Sequence, residues 1–168
     1  MFRRLRETGP GLLVPLAWTF VTAAHVDAVT ERTLLIAHVV MVTILVAFTA
    51  ASWRDMDDGV LLVWRGVMVL GIPVTLAGLG GLVADPGVAA LQATAVYGWM
   101  LLPGGALAYT GGEVSDGAVF YRGGAACCLL GAALYAAAAV AGTPTVVAGL
   151  ALAGVGQTAG ILDAVLRY

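Results

Sequence analysis

Six long apolar runs, separated by short polar stretches, make up most of this chain. They cover residues 11–28, 33–52, 60–84, 88–109, 118–141 and 144–166, each close to the roughly 20 helical residues that cross a hydrocarbon core of about 30 Å. The pattern predicts an all-α fold, a polytopic transmembrane bundle of six helices within one integral membrane domain spanning residues 1–168. The connections between runs are very short, which makes consecutive helices antiparallel neighbours and gives three hairpins. Only Asp27, Arg65, Arg122 and Asp163 fall inside the runs, and each lies near a run's end, where charged groups reach headgroup water.

Composition agrees with the pattern. Of 168 residues, 61% are apolar and 11% charged, with a mean hydropathy of +0.97. A soluble domain carries about 25% charge and about 45–50% apolar residues, so the polar surface that water requires is missing. What remains outside the runs is too little for a sizeable soluble domain.

Arginine placement predicts orientation, because cytoplasmic loops retain basic residues. With the amino terminus inside, Arg3, Arg4, Arg6, Arg54, Arg65, Arg122 and Arg167 collect on the inner side, and Arg32 alone lies outside. Trp53, Trp64, Tyr109, Tyr121 and Tyr168 fall at the same inner helix ends, as an interfacial aromatic belt. Both signals predict a multi-pass protein of the cell membrane with N and C termini cytoplasmic. A competing reading takes Arg3, Arg4 and Arg6 with Leu12–Ala24 as a secretory signal cleaved after Thr22-Ala23-Ala24. The apolar run continues past Ala24 into a tight turn, which favours a helical hairpin, and intact mass distinguishes the two.

Several functions are excluded by residue type. The chain has no lysine, so a retinal Schiff base, a phosphate-loop lysine and a pyridoxal lysine are ruled out. Its two serines, Ser52 and Ser115, lack a nucleophile-like glycine context. A net charge of −2 without a basic patch points away from nucleic acid.

Helix packing in lipid requires small residues, and the chain is rich in them. Gly156 and Gly160 form a GxxxG in the last run, with Gln157 inside it. An unpartnered glutamine in hydrocarbon costs several kcal/mol, so Gln157 is expected to face another helix. Gln92 is the second polar intramembrane residue. Pro73 and Pro103 interrupt the third and fourth runs and read first as kinks, with broken helices, through the glycines after Pro103, as the alternative. Trp64-Arg65-Gly66 and Tyr121-Arg122-Gly123 repeat one pattern at the start of the third and fifth runs, readable as a duplication or as two interfacial anchors. Cys127 and Cys128 are adjacent and point about 100° apart on a helix, a spacing unsuited to CxxC redox chemistry.

The two histidines, His25 and His38, lie in the first predicted hairpin at similar depth. Three readings apply to them. They ligate haem b, or hold a transition metal with Asp27 or Glu31. They form a proton-binding pair beside an acidic group. Or each is a partly hydrated residue satisfied by a nearby hydroxyl or carbonyl. The loop Arg54-Asp55-Met56-Asp57-Asp58-Gly59 resembles the start of a calcium loop, but its third carboxylate comes one place early and no glutamate closes it. It reads as a solvated acidic loop.

No catalytic constellation emerges. The leading functional expectation is a partner-binding or structural and assembly component of the membrane, in contact with the lipid bilayer and with a second copy or another membrane protein. A haem- or metal-binding protein built on His25 and His38 is the first alternative. A small-solute or ion transporter using Pro73, Pro103, Gln92 and Gln157 is the second, weakened by the lack of any mid-membrane charge.

Overall fold

A computed structural model describes residues 2–167, excluding the side chains of residues 2–8 and 10. Among these residues the chain is all-helical, with six helices: α1 (Phe2–His25), α2 (Glu31–Ser52), α3 (Gly59–Val83), α4 (Ala89–Glu113), α5 (Ala118–Ala141) and α6 (Thr143–Arg167). The side chains of Arg3, Arg4 and Arg6, and Tyr168 as a whole, lie outside the described residues.

The boundaries follow local chemistry. Thr30 caps α2 by accepting the Thr33 amide at 3.2 Å, which moves its start to Glu31. Before it, α1 stops at His25, and Asp27 takes a positive φ of 56° that a helix cannot continue. Gly117 and Gly142, at φ 74° and 79°, flank α5 and allow the chain to turn tightly on either side of it. α4 runs on to Glu113, past the predicted end at Tyr109.

Four helices, α2, α3, α5 and α6, are long and apolar enough to cross a membrane. Two of the six predicted spans fall short of that standard for identifiable reasons. Among the described side chains, the apolar stretch of α1 is Gly11–His25. In α4, Gln92, Thr94, Tyr97, Gly98, Trp99, Pro103, Gly104 and Gly105 dilute the apolar character. α3 continues through Pro73 and α4 through Pro103, so neither helix breaks at its proline.

The chain divides into two compact units, with the boundary inside α4. In the unit formed by Met1–Ala28 and Leu107–Tyr168, α6 packs against both α1 and α5. Its interior holds Trp18, Leu107, Tyr121, Cys128, Leu150 and Ala153. Close approach is achieved by removing side chains: a Cβ on Gly124 would lie 2.5 Å from the Gly156 carbonyl oxygen, and one on Gly131 would lie 2.6 Å from that of Gly149. Tyr121 is only 2% exposed, so it belongs to this core and not to an interfacial belt. The expectation failed because Tyr121 lies on the α5 face that carries Gly124, Ala125 and Cys128, all buried.

In the unit Val29–Ala106, α2 packs on α3. The α4 side chains here fill spaces left by α3 glycines and the reverse: Trp99 lies over Gly71, Ala95 over Gly78, Gln92 over Gly81, and Val74 over Gly98. Large apolar side chains lie on the outside of both units: Leu12, Leu16, Val119, Val140 and Val155 in the first and Val83 in the second are all more than three-fifths exposed.

Candidate functional site

The polar atoms buried in the first unit are few, and they join helices. Gln157, 3% exposed on α6, accepts a hydrogen bond from the Trp18 indole Nε1 of α1 at 2.9 Å. This bond ties α6 to α1. An indole N–H removed from the interface needs an acceptor, and a buried amide needs a donor, so each satisfies the other's requirement. The seat is shaped by glycine: a Cβ on Gly154 would fall 2.9 Å from the Trp18 Cβ. Gly156 meets Gly124 and Cys127 across the α5–α6 contact, and Gly160 meets Leu107 and Tyr121.

His25 ends α1 in the same unit. Its Nδ1 lies 2.8 Å from the Val21 carbonyl oxygen and its Nε2 2.9 Å from the Tyr135 hydroxyl of α5. A carbonyl only accepts, so Nδ1 carries the proton; in the neutral ring Nε2 is then the acceptor and Tyr135 donates. The rings meet edge to face at 78° with centroids 5.5 Å apart. Asp27 stands exposed in the turn beyond, in its left-handed conformation.

His38 belongs to the second unit. Its Nδ1 donates to the Leu34 carbonyl at 2.9 Å, and a Cβ on Gly78 would lie 2.8 Å from its Nε2. Both imidazoles thus hold their Nδ1 proton on the carbonyl four residues earlier. In the same unit Trp99 Nε1 donates to Thr75 Oγ1 at 3.0 Å, and that hydroxyl donates to the Gly71 carbonyl at 2.8 Å. Gln92 Nε2 donates to the Gly81 carbonyl at 3.2 Å, which also accepts the Val88 amide at 2.9 Å. Gly81 lies in the last turn of α3, where carbonyls lack helical partners, so Gln92 closes a helix end.

Charged groups gather at the other end of the first unit. Asp163 Oδ1 accepts Arg167 Nε at 2.7 Å, one turn along α6. Arg122 Nε donates to the Gly111 carbonyl at 2.8 Å. In the second unit Arg65 Nη1 donates to the Trp53 carbonyl at 3.0 Å while its guanidinium sits 4.5 Å from the Trp53 ring centroid.

Of the residues singled out from sequence, Gln157, Gly156 and Gly160 share the α6 face buried in the first unit, while Gln92 closes a turn in the second. His25 and Asp27 belong to the first unit and His38 to the second, and each histidine is hydrogen-bonded within its own unit. No group of three or more histidine, cysteine, aspartate and glutamate side chains is arranged to hold a metal ion among the described residues. Sequence reasoning passed over Trp18, Tyr135, Thr75 and Trp99. Trp18 and Trp99 carried a signal, as indoles set well inside apolar runs. No known protein family, curated protein or solved structure matches the chain.

Proposed function

We propose that the chain is a multi-pass protein of the cell membrane that serves as a structural or partner-binding component. Its six helices cross as three antiparallel hairpins with both termini cytoplasmic. The observation that carries this reading is the pairing of surface and interior. Large aliphatic side chains cover the outside, while the buried Trp18–Gln157 bond and the part-buried His25–Tyr135 bond tie helix to helix. Lipid is the solvent that accepts such an exterior, and polar contacts of this kind fix helix pairs in it. The glycine registers support the second and third hairpins: Gly124 and Gly131 meet Gly156 and Gly149 in reversed order, as do Gly71 and Gly81 with Trp99 and Gln92.

Site-directed labelling of single cysteines in the loops 26–30, 53–58, 84–88 and 114–117, on a chain lacking Cys127 and Cys128, tests the topology. Labels at 53–58 and 114–117 should react only from the cytoplasmic side, and at 26–30 and 84–88 only from outside. In-membrane crosslinking followed by mass determination tests for a bound copy or partner, and a chain recovered solely as a monomer opposes the partner-binding role.

A second reading, haem b or a transition metal at His25 and His38, is favoured by one feature. Each Nδ1 is pinned to a carbonyl, which orients the ring and leaves Nε2 as the remaining nitrogen, although at His38 that nitrogen packs against Gly78. At His25 that nitrogen is engaged by Tyr135, so ligation would cost a hydrogen bond. Optical and elemental analysis of purified protein decides between the readings. The transporter reading loses the broken helices on which it rested, since α3 and α4 run unbroken through Pro73 and Pro103.

A further inference from the structure

The α5–α6 pair is held together differently along its length. Toward its middle the two backbones touch, with Gly124 against Gly156 and Gly131 against Gly149. Toward the start of α5 and the end of α6 the contact thins, and an open groove of about 230 Å³ is lined by Phe120 of α5 and by Ala159, Leu162, Asp163 and Leu166 of α6. Phe120, Leu162 and Leu166 stay 45%, 41% and 83% exposed there, so apolar burial adds little to closure at this end.

Charge joins the helices instead. Gly117, the N-cap residue of α5, has a φ of 74° and no side chain with which to cap the helix. Its open side rests on Asp163 Oδ2 and on Arg167 Nε, the second 3.0 Å from where a Cβ would stand. Asp163 Oδ1 accepts a hydrogen bond from the same Nε at 2.7 Å. The Asp163 side chain is only 8% exposed, and its Oδ2 has no hydrogen-bond donor. This carboxylate thus stands between two positive groups, the guanidinium one turn along α6 and the amino-terminal end of the α5 dipole. Asp116 also precedes the helix but is exposed, where solvent screens it.

We propose that Asp163 and Arg167 form an ionic clasp, which closes this end of the α5–α6 pair and opens while the glycine contacts farther along stay shut. Asp163 supplies from α6 the negative charge that Gly117 lacks, and Arg167 holds the carboxylate in place. Closure is weak by construction: one hydrogen bond joins the ions and Arg167 is 42% exposed, so the pair competes with water and salt. The groove beside it leaves the first turn of α5 few apolar contacts to break on opening. The inference concerns packing within one unit and stands apart from the membrane reading.

Hydrogen–deuterium exchange of the full chain in mild detergent, read by mass spectrometry over residues 114–121 and 126–135, tests the clasp. Raising salt from about 0.1 M to about 1 M shortens the screening length from about 10 Å to about 3 Å. In the unaltered chain this should speed exchange at 114–121 about twofold and leave 126–135 unchanged. Asp163→Asn should speed exchange at 114–121 about fivefold, because an ion pair and a helix-end charge are lost together, and should abolish the salt response. Arg167→Gln should give about twofold, since the helix-end charge remains. The salt series is read on the unaltered chain, so it stands even if a variant fails to fold. Absence of a salt response at 114–121 overturns the proposal. Exchange that rises equally at 126–135 also overturns it, because the pair then loosens as a whole.

Discussion

Gly131 on α5 and Gly149 on α6 place two backbones in direct contact, and alanine at either position should force them apart. A Cβ on Gly131 would stand 2.6 Å from the Gly149 carbonyl oxygen, 3.1 Å from the Ala153 amide nitrogen and 3.2 Å from the Ala153 Cβ. Ordinary carbon–oxygen contacts begin near 3.3 Å, so the helices must separate by about 0.7 Å. The obstructing atoms are backbone and an alanine Cβ, and no rotamer change relieves them. A gap of that size forfeits roughly a quarter to a half of the dispersion energy along the contact, and overpacking of this kind costs about 1–3 kcal/mol. Against it stands the gain of up to about 1 kcal/mol from replacing a helical glycine by alanine.

Gly131→Ala is therefore expected to destabilise by about 1–2 kcal/mol. Gly123→Ala, on the same helix but with nothing within 4 Å of its Cβ position, is expected to be neutral or to stabilise by up to about 1 kcal/mol. Gly149→Ala meets the Gly131 carbonyl at 2.6 Å and the Tyr135 amide at 2.9 Å and should match Gly131→Ala. The double variant should cost less than the sum, because the first alanine opens the gap that the second needs. Reversible unfolding in mixed micelles, with the denaturing detergent fraction as variable, measures all four. Equal effects at Gly123 and Gly131 would refute the glycine-mediated packing of α5 on α6.

Other substitutions probe the buried hydrogen bonds and the threading of the chain. Trp18→Phe and Gln157→Leu should each destabilise by about 1–2 kcal/mol, since each strands a buried partner, with a coupling near 0.6 and at most about 1.7 kcal/mol in a double-mutant cycle; strict additivity would mean that the bond contributes nothing. Tyr135→Phe should cost about 1 kcal/mol, and nothing further once His25 is already alanine. Gly117→Ala combines a left-handed backbone with a Cβ aimed at the Asp163 carboxylate, and should lower the micellar unfolding midpoint more than Gly112→Ala, which meets nothing within 4 Å. Reporter fusions at the carboxyl terminus should be active only with a cytoplasmic reporter, and activity of a periplasmic or extracellular reporter there would contradict the orientation drawn from arginine placement.

Hydropathy made the number of helices and most of their boundaries legible, because burial in lipid leaves long uniform runs. Capping refined them where side chains act locally, as Thr30 does for α2. Run length alone did not show that Gln92, Trp99 and Pro103 dilute the apolar character of α4, which separates it from the four helices most clearly able to span. That a glutamine in the middle of α6 needs a donor follows from one residue's chemistry. That the donor is Trp18, 139 positions away, depends on packing, which a single sequence does not encode in any local pattern. Tyr121 shows the same limit: its distance from a helix end suggested an interfacial ring, and only the direction of its face on α5 decides that it is buried. The Asp163–Arg167 spacing was visible as an i, i+4 pair, but the unfilled Oδ2 against Gly117 was not.

Membrane association can be measured directly by washing membranes from cells that make the protein with alkaline carbonate. Lipid contact over Leu12, Leu16, Val119, Val140 and Val155 predicts that the chain stays in the pellet after washing and is released only by detergent. Recovery in the carbonate supernatant, or as a monodisperse species in detergent-free buffer, would contradict it.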